Sequence, residues 1–213
     1  MRERLSKIRA PEKDIKLSVQ ITHSILILLF GIALGALSKQ LDNMSINDAI
    51  PWQRILGILD LRNVFSELAI WLLISLAISV FSGTPLRASL NVFLFFAGMC
   101  CSYHLYTIVF SGFNPRRYMM IWYGFTVLSP ALAFVCWFGK GKTKVSLVID
   151  TLILTVMISE CFSIGLWYFD FKSIINTLIF IGSATVLYNT PKYTVIGLSG
   201  AVALSLAAKA VLF

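Results

Sequence analysis

Seven long apolar stretches, separated by short polar linkers, make up most of this 213-residue chain. A helix rises about 1.5 Å per residue, so about 20 helical residues cross the ~30 Å hydrocarbon core of a bilayer. The pattern therefore predicts an all-α, polytopic transmembrane bundle of about seven spans, or six if the short sixth stretch does not cross. The stretches lie at 21–38, 64–81, 89–110, 118–138, 145–169, 172–188 and 194–213.

One connection between the stretches is much longer than the others. It covers 39–63, whereas the five remaining linkers are tight, and four of them contain Gly or Pro. Its apolar positions recur at helical spacing, which indicates an amphipathic helix on the membrane surface. We expect residues 46–63 to form a lid on the outer face of the bundle. The residues that carry the pattern are Ile55, Ile58, Leu59 and Arg62.

The composition excludes a soluble domain. Apolar residues make up 58% of the chain and charged residues 13%, whereas soluble domains hold about 45–50% and about 25%. The net charge of +8 comes largely from residues 1–20 and from short linkers beside apolar stretches. Anionic lipid headgroups are therefore the expected acidic partner, and nucleic acid is not. We predict a basic cytoplasmic tail at 1–20 and a single transmembrane domain at 21–213.

Charges in the short segments predict the orientation. If the N-terminus is cytoplasmic, eleven Lys and Arg residues lie inside and six lie outside, while Lys209 falls within the last stretch. Inside segments of membrane proteins are enriched in Lys and Arg, so the count favours a cytoplasmic N-terminus.

Several polar residues of different stretches then share one depth. Glu160 and His104 each lie about 15 residues above the inner end of their stretch, which is about 22 Å. Glu67 begins the second stretch from outside, and Asn176 lies just within the outer end of the sixth. Ionisable groups in hydrocarbon are costly and point to function. We therefore predict one outward-facing polar cavity.

The predicted cavity binds or transports a small solute. Aromatic residues at matching depths are expected to form its walls. Asp60, Asn63 and Glu67 follow one another at spacings of three and four, which places them on one side of a helix. The predicted ligand-binding residues are Glu67, Trp71, His104, Tyr106, Glu160 and Trp167.

Two other classes of function remain open. Glu160 and His104 could be an acid–base pair in an intramembrane enzyme, or the polar residues could hold together a non-catalytic immunity or assembly subunit. A non-enzymatic role is favoured, because the sequence contains no catalytic motif, nucleotide-binding loop or metal-ligand spacing. No metal or cofactor is expected. The four cysteines lie in apolar stretches without a C-x-x-C spacing and are expected to be small core residues.

Several motifs resemble a family of uncharacterised multi-pass membrane proteins from Firmicutes-type bacteria, which implies the bacterial plasma membrane. These motifs lie at 34–39, 60–65, 84–88, 95–99, 102–103 and 137–142. The long first connection and the small residues Gly31 and Gly35 are also similar to the substrate-binding subunits of energy-coupling-factor transporters. That likeness implies an outward-facing solute site and a membrane partner at Gly31 and Gly35. Packing within this chain is the alternative role for these glycines.

Overall fold

The computed structural model describes residues 5–12, 16–47, 49–165 and 167–212. This part of the chain is almost entirely helical. Its helices are α1 (Leu17–Asn43), α2 (Pro51–Ile58), α3 (Leu61–Ser66), α4 (Leu68–Phe81), α5 (Pro85–Ser111), α6 (Arg116–Trp137), α7 (Lys144–Cys161), α8 (Ile174–Leu187) and α9 (Pro191–Leu212). A short 3-10 helix, Phe138–Lys140, follows α6, and the strands β1 (Phe162–Ile164) and β2 (Phe169–Phe171) form an antiparallel hairpin.

Within the described residues, four helices are long and apolar enough to cross a membrane. They are α1, α5, α6 with its 3-10 extension, and α9. The predicted helical membrane protein is confirmed at this level. Helices α4 and α8 have 14 residues each, so each is only about 21 Å long. Helix α7 has 18 residues and includes charged side chains.

Two of the predicted apolar helices have different boundaries. The stretch 64–81 is interrupted at Glu67, whose extended backbone separates α3 from α4. The stretch 145–169 is helical only to Cys161, so its predicted end is wrong. Phe162 pairs with Phe171 and Ile164 with Phe169 in the hairpin that follows. Apolar residues alternate with Ser163 and Asp170 in these strands, a period of two that suits a strand.

The segment predicted as a lid forms two short helices. The described residues of 46–63 include α2 and the beginning of α3, while Asp48 lies outside the described residues. Helix α2 has no buried residue. Trp52 and Ile58 are 55% and 73% exposed, so the apolar face of α2 points away from the bundle and is available to a lipid surface.

The turns of the bundle gather at two ends. At one end, which we call the tail end, residues 5–12 cross the turns before α5 and after α6, and the Glu12 N–H donates to the Gly83 carbonyl at 2.9 Å. Asn189 donates to the Gly141 carbonyl at the same end. The far end holds α2, α3 and the hairpin, and there Asn43 donates to Ser111. The predicted cavity belongs to the far end.

Arg9 fastens the N-terminal segment to the tail end. Its guanidinium donates to the carbonyls of Trp137 at 2.7 Å and Val80 at 2.8 Å, close to the C-terminal ends of α6 and α4. It also lies 4.2 Å from the centroid of the Trp137 ring. Burial lowers the pKa of Arg9, and the Glu12 carboxylate partly opposes this shift. Val80 and Trp137 lie in the last turns of α4 and α6, where intrahelical donors run out, so Arg9 supplies a charged donor at both helix ends.

Replacing Arg9 by alanine should destabilise the protein. The two carbonyls would lose a charged donor, and we expect a cost of about 2 kcal/mol, which corresponds to a fall in melting temperature of about 4–8 °C. Lys7→Ala is the matched control, because Lys7 is exposed in the same segment and should change stability by less than about 0.5 kcal/mol. Thermal unfolding in detergent measures both. Equal effects of the two variants would refute the role of Arg9.

Gly31 and Gly35 allow α1 and α5 to pack closely within this chain. A methyl group on Gly31 would collide with the Phe95 carbonyl oxygen, and one on Gly35 with the Met99 carbonyl oxygen. Gly98 of α5 lies equally close to α1, since an added Cβ would be 2.7 Å from the Leu28 carbonyl oxygen. The alternative role holds for these glycines. They are occupied by α5, and a membrane partner would have to contact another surface.

Candidate functional site

A polar cavity of about 190 Å³ opens at the far end of the bundle. It lies where α3, the beginning of α4 and the beginning of α8 meet. We call it the far-end cavity. Its lining includes two carboxylates, one ammonium group and two side-chain amides, so its chemistry is predominantly polar. The lining residues are Asp60, Asn63, Val64, Ser66, Glu67, Lys172, Ser173 and Asn176.

The chain between α2 and α4 directs three polar side chains to this cavity. Asp60 has a left-handed backbone conformation, with φ of 49°, which Asp tolerates better than most residues. Its carboxylate accepts a hydrogen bond of 2.8 Å from the Asn63 amide. The Glu67 N–H donates to the Asn63 carbonyl at 2.9 Å and ends α3. Asp60, Asn63 and Glu67 all line the far-end cavity. They do not lie on one side of a single helix as predicted, because Asp60 precedes α3 and the extended backbone of Glu67 ends it.

Asn176 forms the deepest polar part of the cavity. It lies in the first turn of α8, where its N–H donates to the side chain of Ser173 at 3.0 Å. Its side chain is only 2% exposed, and its amide Nδ2 donates to the Glu67 carboxylate at 2.9 Å. The amino end of α8 carries partial positive charge, which also favours a carboxylate at Glu67.

The oxygen of the Asn176 side-chain amide has no such partner. Its Oδ1 is buried and accepts no hydrogen bond from the described residues. An unsatisfied buried acceptor costs about 1–3 kcal/mol, and buried polar atoms of native proteins are nearly always paired. Asn176 thus contributes an unsatisfied acceptor to the residues around the far-end cavity.

Glu160 lies beside the far-end cavity. The Lys172 ammonium, which lines the cavity, donates to the Glu160 backbone carbonyl at 2.7 Å. The buried thiol of Cys161 is within electrostatic range of Lys172, Glu160 and Glu67. Two of the three ionisable residues predicted to share a site are therefore gathered around the end of α7.

His104 belongs to a different group of residues. Its Nε2 lies 2.9 Å from Asn114 Oδ1 and its Nδ1 lies 2.5 Å from the Tyr123 hydroxyl. The Asn114 oxygen can only accept, so Nε2 carries a proton in this pairing. The structure thus pairs His104 with α6 and the linker before it, and not with Glu160. His104 and Glu160 were predicted to lie at the same depth. Two residues at the same depth can still lie on different sides of the bundle, and these two do not meet.

The three predicted aromatic walls lie apart from the far-end cavity. Trp71 is buried in the core, where its indole N–H donates to the Phe65 carbonyl at 3.0 Å. Tyr106 packs on Phe110, with ring centroids 4.5 Å apart. Trp167 is 96% exposed near the tip of the hairpin, where it lines a separate apolar recess. The wall of the far-end cavity is made of carboxylates and amides instead.

Sequence reasoning missed a polar cluster that positions α3. Asp42, at the end of α1, accepts a hydrogen bond of 2.7 Å from the Tyr103 hydroxyl, and its backbone carbonyl accepts one of 2.6 Å from Arg62. Lys39 is only 7% exposed and lies 4.0 Å from the Asp42 carboxylate. The spacing of three between Lys39 and Asp42 was a usable signal. This cluster ties α1 to α3, which carries cavity residues.

No family model, curated protein or solved structure matches this chain. The likenesses to a Firmicutes-type membrane family and to energy-coupling-factor subunits, inferred from sequence motifs, stay predictions.

Proposed function

We propose that this chain is a multi-pass protein of the bacterial plasma membrane that binds a small polar solute from outside the cell. The observation that supports it best is the far-end cavity, whose lining combines Glu67, Lys172 and Asn176. Three separate elements supply these groups. Their arrangement suits recognition of a polar molecule, because each carries hydrogen-bonding capacity that water or a solute can use.

The proposed topology has seven spans and a cytoplasmic tail end. Helices α1 and α4–α9 follow one another between the two ends of the bundle. The two short helices, α4 and α8, continue into α3 and the hairpin, which extend their reach across the bilayer. By their place in the sequence, eleven Lys and Arg residues belong to the tail end and six to the far end, which favours a cytoplasmic tail end. The far-end cavity then faces outward.

Binding is supported more directly than the alternative functions. On the tail-end side of Asn176, α8 packs its buried Ile179 and Leu187 into an apolar core that also contains Ile158 and Cys161. This packing closes the cavity toward the tail end, so transport would require a conformational change or a partner protein. The enzyme alternative lacks support in the geometry, because His104 is engaged by Tyr123 and Asn114.

Cysteine labelling in intact cells tests the outward orientation. In a variant without the four native cysteines, Asn63→Cys should react with an impermeant thiol reagent, because Asn63 is exposed at the far-end cavity. Lys142→Cys, at an exposed position of the tail end, should react only after the membrane is permeabilised. The reverse pattern would contradict an outward-facing site.

A further inference from the structure

We infer that the far-end cavity selects a small solute that carries a protonated amine. This inference rests on the proposed function and adds the chemical class of the ligand. The lining contains the carboxylates of Asp60 and Glu67 and the ammonium of Lys172, so its ionised side chains leave one negative charge. The partial positive charge at the amino end of α8 does not reverse this preference for a cation, because the Glu67 carboxylate already lies there.

The hydrogen-bonding groups of the lining also favour a ligand that donates hydrogen bonds. One of the two amide N–H groups of Asn63 and one of those of Asn176 are used by the carboxylates of Asp60 and Glu67, and one of the three Lys172 donors is used by the Glu160 carbonyl. Each carboxylate can accept about four hydrogen bonds. Acceptors are therefore in excess at the cavity.

The unpartnered Oδ1 of Asn176 adds to the excess of acceptors around the cavity. This atom belongs to a nearly fully buried side chain in the cavity wall and has no partner among the described residues. An ammonium group supplies three N–H donors and no acceptor, which complements the two carboxylates and the excess of acceptors around the cavity. A carboxylate or phosphate ligand would instead place further acceptors beside Asp60 and Glu67.

The size and lining favour an organic amine over a bare metal ion. A volume of about 190 Å³ corresponds to about six waters at ~30 Å³ each, which suits a molecule of a few non-hydrogen atoms. Ca²⁺ and Mg²⁺ are held by at least six oxygen ligands close to the ion. Here Lys172 occupies part of the wall with an ammonium group, which has no lone pair to offer a metal ion.

Titration with three probes of similar size tests the inference. Purified, dialysed protein in detergent is titrated with propylamine hydrochloride, sodium propionate or propan-1-ol. Sodium chloride equalises the ionic strength of the three series. Calcium chloride is titrated separately as a metal probe. The melting temperature is the readout. We expect propylammonium alone to give a saturable increase, with at least a tenfold weaker apparent affinity in Glu67→Gln.

Two further variants keep the test independent of folding defects. Asp60→Asn removes a lining charge, and Asn tolerates the left-handed conformation of this position as well as Asp does, so it should weaken amine binding without unfolding the protein. Asp170→Asn removes an exposed carboxylate of the hairpin and should leave amine binding unchanged.

The outcomes separate the ligand class from the proposed function. Saturable binding of propionate, propanol or Ca²⁺ that depends on Glu67, without binding of propylammonium, would overturn the amine and keep a solute site. Equal amine binding by wild type and both Glu67→Gln and Asp60→Asn would overturn the site assignment. The absence of any saturable response would overturn the amine, and release of a bound solute from the purified protein would then still support solute binding.

Discussion

Replacing Gly35 by leucine should be among the most damaging changes in this protein. The position is buried in α1, and even one methyl group there would collide with the Met99 carbonyl oxygen and the Ser102 side chain of α5. Backbone atoms cannot move aside without separating the two helices. Overpacking typically costs about 1–3 kcal/mol, and we expect the upper end, which lowers the melting temperature by about 6–12 °C.

Gly124→Ala provides a matched control in another helix. Gly124 lies in α6, and an added Cβ would meet no atom within 4 Å. Alanine has a higher helix propensity than glycine by about 1 kcal/mol, so this variant should be neutral or slightly more stable. Thermal unfolding of both variants in the same detergent decides the point. A Gly35→Leu protein as stable as wild type would show that α1 and α5 do not pack through these glycines.

Replacing Asn176 by leucine should remove solute binding while largely preserving stability. Leucine has a similar shape, and the change eliminates the buried, unpaired Oδ1 together with the hydrogen bond to Glu67. The Glu67 carboxylate is only partly buried, so water can replace the lost donor. We expect a loss of affinity of at least about 100-fold, or about 2.8 kcal/mol.

The control for this change is Asn189→Leu. Asn189 donates one hydrogen bond to the Gly141 carbonyl at the tail end, far from the cavity. The amount of solute retained by each purified variant is the measurement. Equal retention by Asn176→Leu and wild type would remove Asn176 from the site.

The long apolar helices could be predicted from the sequence, but their interruptions could not. Helix α1 was predicted at 21–38 and observed over a longer range because polar residues after Ser38 continue it. The hairpin was hidden because its phenylalanines extend the apolar run of α7. Only their alternation with Ser163 and Asp170 indicates strands.

The candidate site was predicted in part for a similar reason. Hydropathy gave the depth of Glu67, Glu160 and Asn176, and the structure gathers them at the far end. Hydropathy does not indicate which side of the bundle a residue faces, so His104 was wrongly expected to pair with Glu160. The hydrogen bond from Asn176 to Glu67 joins residues 109 positions apart, and a single sequence offers no rule for such a pairing.

Mass spectrometry of small molecules released from the purified protein tests solute binding most directly. Protein extracted in mild detergent and washed free of loosely bound material should release, on denaturation, one small polar solute in an amount approaching one per chain. The Asn176→Leu variant should release almost none. Wild-type protein that releases only lipid and detergent, or the same small molecules in the same amounts as Asn176→Leu, would contradict a solute site in the far-end cavity.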